Sequence, residues 1–113
     1  MSSSSEQILS EALSWPGVSR AQGRFGAVTL RMGRRELGHL HGDAIADVPL
    51  PRGVRDKLIA DGSVRQHRWR PDSGWVTVPL SDQESVQRVL ALLRSNYERG
   101  LARAANRRPP IGG

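Results

Sequence analysis

Two histidines separated by a single residue stand in the middle of the segment GHLHGD, residues 38–43. A residue and its next-but-one neighbour point to the same face of a strand, so His39, His41 and Asp43 project together if this segment is extended. Two imidazoles and a carboxylate in one place can bind a metal ion, transfer protons or hydrogen-bond inside a core. We therefore take these three residues as candidate catalytic groups, with a purely structural role as the alternative.

Two hairpins are predicted to position the histidines. For the first, residues 24–32 and 35–41 have the pattern of strands, and Gly33 between them can adopt the positive φ of a tight turn. A two-residue turn pairs Leu30 with Leu37, which puts both histidines of the GHLHGD segment on the apolar face that carries Leu30. A one-residue slip of this register would reverse the assignment.

The second hairpin is predicted from residues 64–70 and 75–80, joined by a four-residue turn. Its register pairs His67 with Val78 and brings His67 and Trp69 to the apolar face. His67 would then join the other two histidines in one pocket, where Trp69 stacks on a bound ligand. The alternative is that His67 and Trp69 form a half-buried pair on a strand and nothing more.

Three helices complete the predicted order of elements. The spacings of Ser4 with Gln7 and of Ser81 with Glu84 are those of capping boxes, and they mark the starts of the first and third helices. A short helix is predicted over residues 52–61, between the hairpins. The expected fold class is α+β in the order α-ββ-α-ββ-α, with a four-stranded, mainly antiparallel sheet and the helices packed on one face.

The chain divides into a folded part and a basic end. Residues 1–102 are predicted to form one domain, in which residues 43–51 are a loop held by two prolines. Residues 103–113 are predicted to be a disordered tail because they contain almost nothing apolar to bury. Four arginines beyond Glu98 supply +4 of the net charge of +6. Any binding to nucleic acid is therefore expected to be weak, non-specific and confined to this tail.

The composition argues against several classes of protein. There is no cysteine, hence no disulfide, no thiolate nucleophile and no cysteine-bound zinc. No run approaches the roughly 20 apolar residues that a membrane helix needs. Residues 1–6 lack the basic start and apolar run of a signal peptide. We expect a cytoplasmic protein without membrane contacts, and the sequence indicates no oligomeric state.

Four separate motifs resemble the luciferase-like domain, which occurs in the luciferases of bioluminescent fungi and in many small bacterial proteins. In chain order they are GHLHGD, PLP, PDSGW and LLRSNY, at residues 38–43, 49–51, 71–75 and 92–97. The likeness covers most of residues 15–98 and is closer to the bacterial members than to the fungal ones. It implies that the polar motifs of the domain fall on His39, His41, Asp43, Ser73 and Trp75.

The resemblance adds Ser73 and Trp75 to His67 and Trp69 as candidate ligand-binding residues. The fungal enzymes oxygenate a hispidin-type luciferin with molecular oxygen, without a metal or organic cofactor. This chain is far shorter than those enzymes, so their substrate and light emission do not carry over. Plainer roles are also open: the Ser73 hydroxyl can bond its own turn, and Trp75 can form an exposed patch with Arg68.

The expected function is binding of a small aromatic molecule in a pocket lined by histidines. Cofactor-independent oxidative chemistry is implied by the resemblance, and whether the protein is an enzyme is left open. No cofactor and no metal ligands are assigned, because the spacing does not secure a third ligand for a metal ion. Two alternatives remain: a non-catalytic interaction module that uses the arginine-rich tail and the Trp75 surface, and a small metal-binding enzyme.

Overall fold

Antiparallel strands alternate with three helices along the chain, and the computed structural model describes residues 2–106. The helices are α1 (Ser4–Ala12), α2 (Arg52–Ala60) and α3 (Gln83–Asn106). The strands are β1 (Val18–Gln22), β2 (Val28–Met32), β3 (Arg35–His41), β4 (Ile45–Pro49), β5 (Arg65–Gln66) and β6 (Trp75–Pro79). A 3-10 turn, Arg24–Gly26, lies between β1 and β2. The α+β class is thus confirmed.

The sheet has six strands in the order β1-β2-β3-β4-β6-β5, so the prediction of four strands is wrong. All its pairings are antiparallel. The edge strand β1 is mostly exposed and polar, and it lacks the alternation by which a half-buried strand is recognised. β4 takes up most of the predicted loop at residues 43–51. Its pattern is hidden by a proline at its end and by Asp47 at its centre.

The core lies between the sheet and α3. α3 packs against β3, β4 and β6, and α1 packs against α3, whereas α2 belongs to the connection between β4 and β5. The expected packing of all helices on one face is therefore not evident. Gly38 lets the helix approach, because a Cβ there would lie 2.8 Å from Leu93 Cδ2 and 3.0 Å from the Asp47 carbonyl oxygen. α3 thus rests directly on β3.

The starts of α1 and α3 are each capped one residue away from the predicted position. Asp82 and Ser85 cap α3 reciprocally: the Ser85 N–H donates to Asp82 Oδ1 at 2.8 Å, and the Asp82 N–H donates to Ser85 Oγ at 3.1 Å. The predicted pair was Ser81 with Glu84. In α1 the N-cap is Ser3, whose hydroxyl accepts a backbone N–H of the first turn. α1 and α2 lie where the sequence predicts them, whereas α3 extends further than predicted.

A β-bulge in the first hairpin reverses the predicted orientation of the histidines. Met32 pairs with Arg35 and Arg31 with Glu36, as a two-residue turn predicts, but Leu30 then pairs with Gly38 and not with Leu37. Two residues of β3, Leu37 and Gly38, therefore take the place of one, so β3 contains one extra residue. These two residues are consecutive and both buried. His39 and His41 consequently lie on the sheet face opposite Leu30. The prediction that they share the face of Leu30 is wrong.

The second hairpin is shorter than predicted, and its register differs. β5 has only two residues, and Gln66 pairs with Val76, so His67 does not pair with Val78. Val76 and Val78 face the core, whereas His67 approaches Asp47 on the other face. Residues 67–74 form an eight-residue connection, not a four-residue turn. The predicted face of His67 is therefore wrong as well.

The described part of the chain ends at Asn106, the last residue of α3. This helix continues through Gly100 to Asn106, four residues into the segment predicted as a tail. Residues 107–113 lie outside the described residues, so their expected disorder stays a prediction. Within residues 2–106, no helix combines the length and the apolar character that crossing a membrane requires.

Candidate active site

Asp47 is a fully buried carboxylate at the centre of the sheet face that lies opposite α3. It sits in β4, where it pairs with His39 of β3 on one side and with Thr77 of β6 on the other. Residues that pair across antiparallel strands point to the same face, so the three side chains form a row across the sheet. Asp47 is therefore the group around which the neighbouring polar side chains gather.

Four side chains donate hydrogen bonds to Asp47. Thr77 Oγ1 donates to Oδ1 at 2.6 Å, and the Arg68 guanidinium reaches both oxygens at 3.3 Å. His39 Nε2 and His41 Nε2 each donate to Oδ2 at 3.1 Å. Burial alone would raise the pKa of Asp47, but the bonds from His39, Thr77 and Arg68 outweigh it and hold this pKa well below its usual range. Asp47 is ionised.

His39 lies between two carboxylates. Its Nε2 faces Asp47, and its Nδ1 is 3.4 Å from Glu36 Oε2. An ionised carboxylate can only accept a hydrogen bond, so both ring nitrogens are best satisfied when each carries a proton. Burial opposes the charged ring, but the bonds to Asp47 and Glu36 prevail and raise the pKa of His39 to about 9. His39 is an imidazolium at neutral pH.

His41 has one nitrogen engaged and one available. Its Nε2 donates to Asp47, whereas its Nδ1 has no hydrogen-bond partner among residues 2–106. In the neutral ring this arrangement keeps the proton on Nε2 and the lone pair on Nδ1. The rings of His39 and His41 meet edge to face, with their centroids 5.0 Å apart. His41 can thus accept a proton from a neighbouring molecule at Nδ1.

His67 completes a group of three imidazoles around Asp47 Oδ2. Its Nε2 is 3.7 Å from that oxygen, and its Nδ1 accepts the backbone N–H of Trp69 at 3.2 Å. The proton of the neutral ring is therefore on Nε2, directed at Asp47. Burial lowers the pKa of His67, which favours this neutral form. We refer to His39, His41, His67 and Asp47 as the histidine–aspartate cluster.

An open cavity of about 680 Å³ lies above this cluster. Its floor is the face of β2, β3 and β4 that lies opposite α3, and its sides come from residues 23–27 and 67–75. Trp75 is half-buried and stacks on His39, with ring centroids 4.9 Å apart and planes inclined by 34°. Trp69 and Phe25 also line the cavity and are 70% and 87% exposed. Three aromatic side chains thus face a polar floor.

Phe25 has an unusual backbone conformation. Its φ is +56°, the only positive φ of a non-glycine residue in the described chain. Bulky side chains rarely adopt this left-handed region, and such strain concentrates at functional sites. Sequence reasoning placed Phe25 inside a strand. The available signal was the pair of glycines around it, Gly23 and Gly26, which indicates a turn.

Asp43 and Ser73 are not among the residues that line the cavity. Asp43 accepts the backbone N–H of Ser5 at 2.9 Å and its hydroxyl at 2.6 Å, which ties the β3–β4 turn to α1 and lowers the pKa of Asp43. Ser73 donates to the Arg70 carbonyl at 2.7 Å and accepts the Trp75 N–H at 3.2 Å. Ser73 thus bonds within its own turn, whereas Asp43 makes a long-range contact with the first turn of α1.

Sequence reasoning missed the residue that organises the site. Asp47 is flanked by apolar residues in the segment IADV, residues 45–48, and a lone carboxylate in such a run signals a buried charge. The sequence indicates Arg68 only as a surface neighbour of Trp75. In the structure it bonds Asp47 and packs over Trp69, 4.9 Å from the ring centroid. The pairing of Asp47 with Thr77 depends on contacts between β4 and β6 that no local pattern reveals.

The cluster also contains the donor set of a metal site. His39, His41 and Asp47 each offer one ligand atom, and these atoms lie within 4.8 Å of one another. Two imidazoles and one carboxylate suit a divalent transition metal. However, Asp47 Oδ2 already accepts hydrogen bonds from the N–H groups of both imidazoles, and the Arg68 cation contacts both carboxylate oxygens. A metal ion would have to displace those protons and tolerate the guanidinium.

The family comparison covers all of the histidine–aspartate cluster. A family model described as the luciferase domain matches residues 34–96, which run from the end of the first turn into α3. The 3-10 turn with Phe25 lies outside the matched range. Neither a curated protein nor a solved structure matches the chain. The match spans more than half of the 113 residues and bears out the resemblance of the sequence motifs. The chain belongs to the luciferase domain family.

Proposed function

We propose that the cavity binds a small aromatic molecule with an acidic hydroxyl group, and that His41 removes the proton of this hydroxyl. The observation that carries the proposal is the asymmetry of His41: Nε2 donates to buried Asp47, and Nδ1 has no partner in the described chain. An imidazole held in this way by a carboxylate has a fixed tautomer and a base nitrogen that is open to a ligand.

His39 supplies positive charge beside the base. Both of its nitrogens are held by carboxylates, so it is not itself available as a base. Its imidazolium ring lies 5.0 Å from that of His41 and favours a negative charge that develops on a ligand oxygen nearby. The two histidines therefore have different roles: His41 accepts the proton, and His39 stabilises the anion.

The aromatic residues favour a planar ligand. Trp75, Trp69 and Phe25 line the cavity, and the last two are largely exposed without a ligand. Large exposed aromatic side chains beside a polar floor are typical of a site that holds a ring by stacking and orients it by hydrogen bonds. This combination is the reason to propose an aromatic compound and not an aliphatic one.

Oxidation is the reaction that membership of the family suggests. With molecular oxygen as the oxidant, the electron-rich phenolate or enolate formed at His41 would be the species oxidised. This scheme requires no metal and no organic cofactor from the protein. It rests on the proton transfer, which can be tested first.

The test uses 7-hydroxycoumarin, whose fluorescence distinguishes the neutral phenol from the phenolate. Bound to the wild-type protein below its own pKa, the dye should be ionised to a greater extent than in buffer. In His41→Gln it should still bind but remain neutral, because the amide is not a base. Ser73→Ala, outside the cavity, is the matched control and should behave as wild type. Equal ionisation of the dye in wild type and His41→Gln would contradict the proposal.

A further inference from the structure

Three arginines line the cavity, and one of them, Arg31, lies opposite the acidic Glu36 in the register of β2 and β3. Arg24 comes from the 3-10 turn, Arg31 from β2, and Arg70 from the connection between β5 and β6. None of them forms an ion pair with an acid within residues 2–106, where the ion pairs involve other residues. All three are exposed, so their guanidinium groups remain accessible. Three separate segments thus bring cations to one surface.

The acids of the cavity do not neutralise these cations. Glu36 faces His39, and Asp47 is held by Arg68 and by the histidines. The two negative charges are therefore matched by the charges of Arg68 and the His39 imidazolium. The three lining arginines remain in excess, as +3. In a concave site with apolar walls the field of such an excess is focused on the ligand.

We infer that the ligand is an aromatic anion, which carries a carboxylate or a similar oxyanion group besides its hydroxyl. The guanidinium group binds a carboxylate through two parallel hydrogen bonds, so arginines at the side of an aromatic site select this chemistry. The ring would stack on the aromatic residues, and the oxyanion would lie toward Arg24, Arg31 and Arg70. This inference rests on the proposed function, because it names the class of molecule that the same cavity takes.

Charge in excess is common on this protein, which has 17 basic and 11 acidic residues. What distinguishes the cavity is that its arginines meet at a surface that already contains three aromatic side chains and a free base nitrogen. A non-specific attraction by the net charge would act equally at arginines elsewhere. Arg34, in the turn between β2 and β3 and away from this cavity, therefore serves as the control.

The experiment compares 4-hydroxybenzoate with 4-hydroxybenzamide, which share the ring and the hydroxyl but differ in charge. Calorimetry on the wild-type protein should give about tenfold tighter binding of the acid, the effect of a hydrogen bond to a charged group. Arg31→Gln and Arg70→Gln should each reduce this preference, and Arg34→Gln should keep it. High salt should weaken the binding of 4-hydroxybenzoate more than the binding of 4-hydroxybenzamide.

Each outcome decides the inference. Equal binding of acid and amide would overturn it and leave the proposed function standing. A preference for the acid that Arg34→Gln reduces as much as Arg31→Gln would also overturn it, since net charge would then be the cause. If neither compound binds, the inference and the proposed function both fail.

Discussion

Asp47 gives each of the three imidazoles around it a different role. His39 is held between two carboxylates and stays charged, His67 directs its proton toward Asp47, and His41 keeps one nitrogen free. Three residues of the same type thus differ in protonation and in what they offer a ligand. The difference arises from their surroundings: hydrogen bonds to two carboxylates raise the pKa of His39, and burial lowers the pKa of His67.

The charge of His39 predicts a dependence of stability on pH. Folding raises the pKa of His39 from 6.5 to about 9, so the folded protein binds this proton more tightly than the unfolded chain. The resulting stabilisation, about 3 kcal/mol at most, is fully present below pH 6.5 and is lost as the pH rises through about 9. Urea unfolding across this range measures it.

Asp47→Asn tests the cause of that shift. Without the carboxylate, the pKa of His39 should fall toward its ordinary value in an NMR titration, and the alkaline loss of stability should shrink. The variant should also be destabilised at neutral pH, by up to about 3 kcal/mol, because the imidazolium of His39 loses a carboxylate that stabilises it. Glu36→Gln, which removes the longer contact, should lower the pKa of His39 less. An unchanged pKa in Asp47→Asn would show that this carboxylate is not the cause.

The same contacts predict weak metal binding. Because Asp47 accepts hydrogen bonds from both imidazoles and from Arg68, a cation must compete with bonds already made. Protein purified without chelator should contain well under one equivalent of transition metal by elemental analysis, and EDTA should leave its Tm unchanged. Stoichiometric zinc or iron whose removal lowers the Tm would favour the metal-binding alternative.

Among the secondary-structure elements, local sequence patterns predict the helices and β3. The composition of the site, however, depends on single residues, namely one extra residue in β3 and the carboxylate of Asp47. One extra residue on β3, at Leu37 and Gly38, moves both histidines to the other face of the sheet. The one local signal for this bulge is Gly38, because an isolated glycine inside a strand indicates a bulge or a close approach of another segment. Asp47 joins the site only when β3, β4 and β6 pair, which is a long-range event. The histidines were therefore found from sequence, but not their face or their partner.

The 3-10 turn at one side of the cavity predicts a separation of binding from stability. Phe25 is 87% exposed at a φ of +56°, so it contributes little burial and bears backbone strain. Phe25→Gly should leave the free energy of unfolding unchanged or raise it by up to about 1 kcal/mol, because glycine adopts this conformation without strain. The Tm should accordingly stay the same or rise. The same change should weaken aromatic ligands several-fold, since a stacking surface is lost. If the wild-type protein and Phe25→Gly bind aromatic ligands with equal affinity, Phe25 is not part of the binding site.

In the molecule as a whole, seven of the 17 basic residues belong to two separate regions. Arg24, Arg31 and Arg70 line the cavity, whereas four further arginines lie beyond Glu98. The residues at 101–106 are exposed on the last turns of α3 and take no part in the core. The end of the chain is therefore separable from the domain in its contribution to stability.

Deletion of residues 103–113 tests this separation. The shortened protein should keep its Tm, because the described residues that it loses are exposed. It should lose weak, salt-sensitive retention on DNA, since that affinity is electrostatic. Ligand binding in the cavity should be unaffected. Sequence-specific and salt-resistant DNA binding by the shortened protein would contradict the account.

In the proposed function, the cavity above Asp47 binds small aromatic molecules at His39 and His41. The most direct measurement is an NMR titration of the wild-type protein with a planar phenol, observing all three imidazole rings. We expect the resonances of His39 and His41 to shift together with one affinity, and His41→Ala to weaken binding by about 1–3 kcal/mol. A phenol that binds without shifting either imidazole, or with equal affinity to His41→Ala, would contradict it.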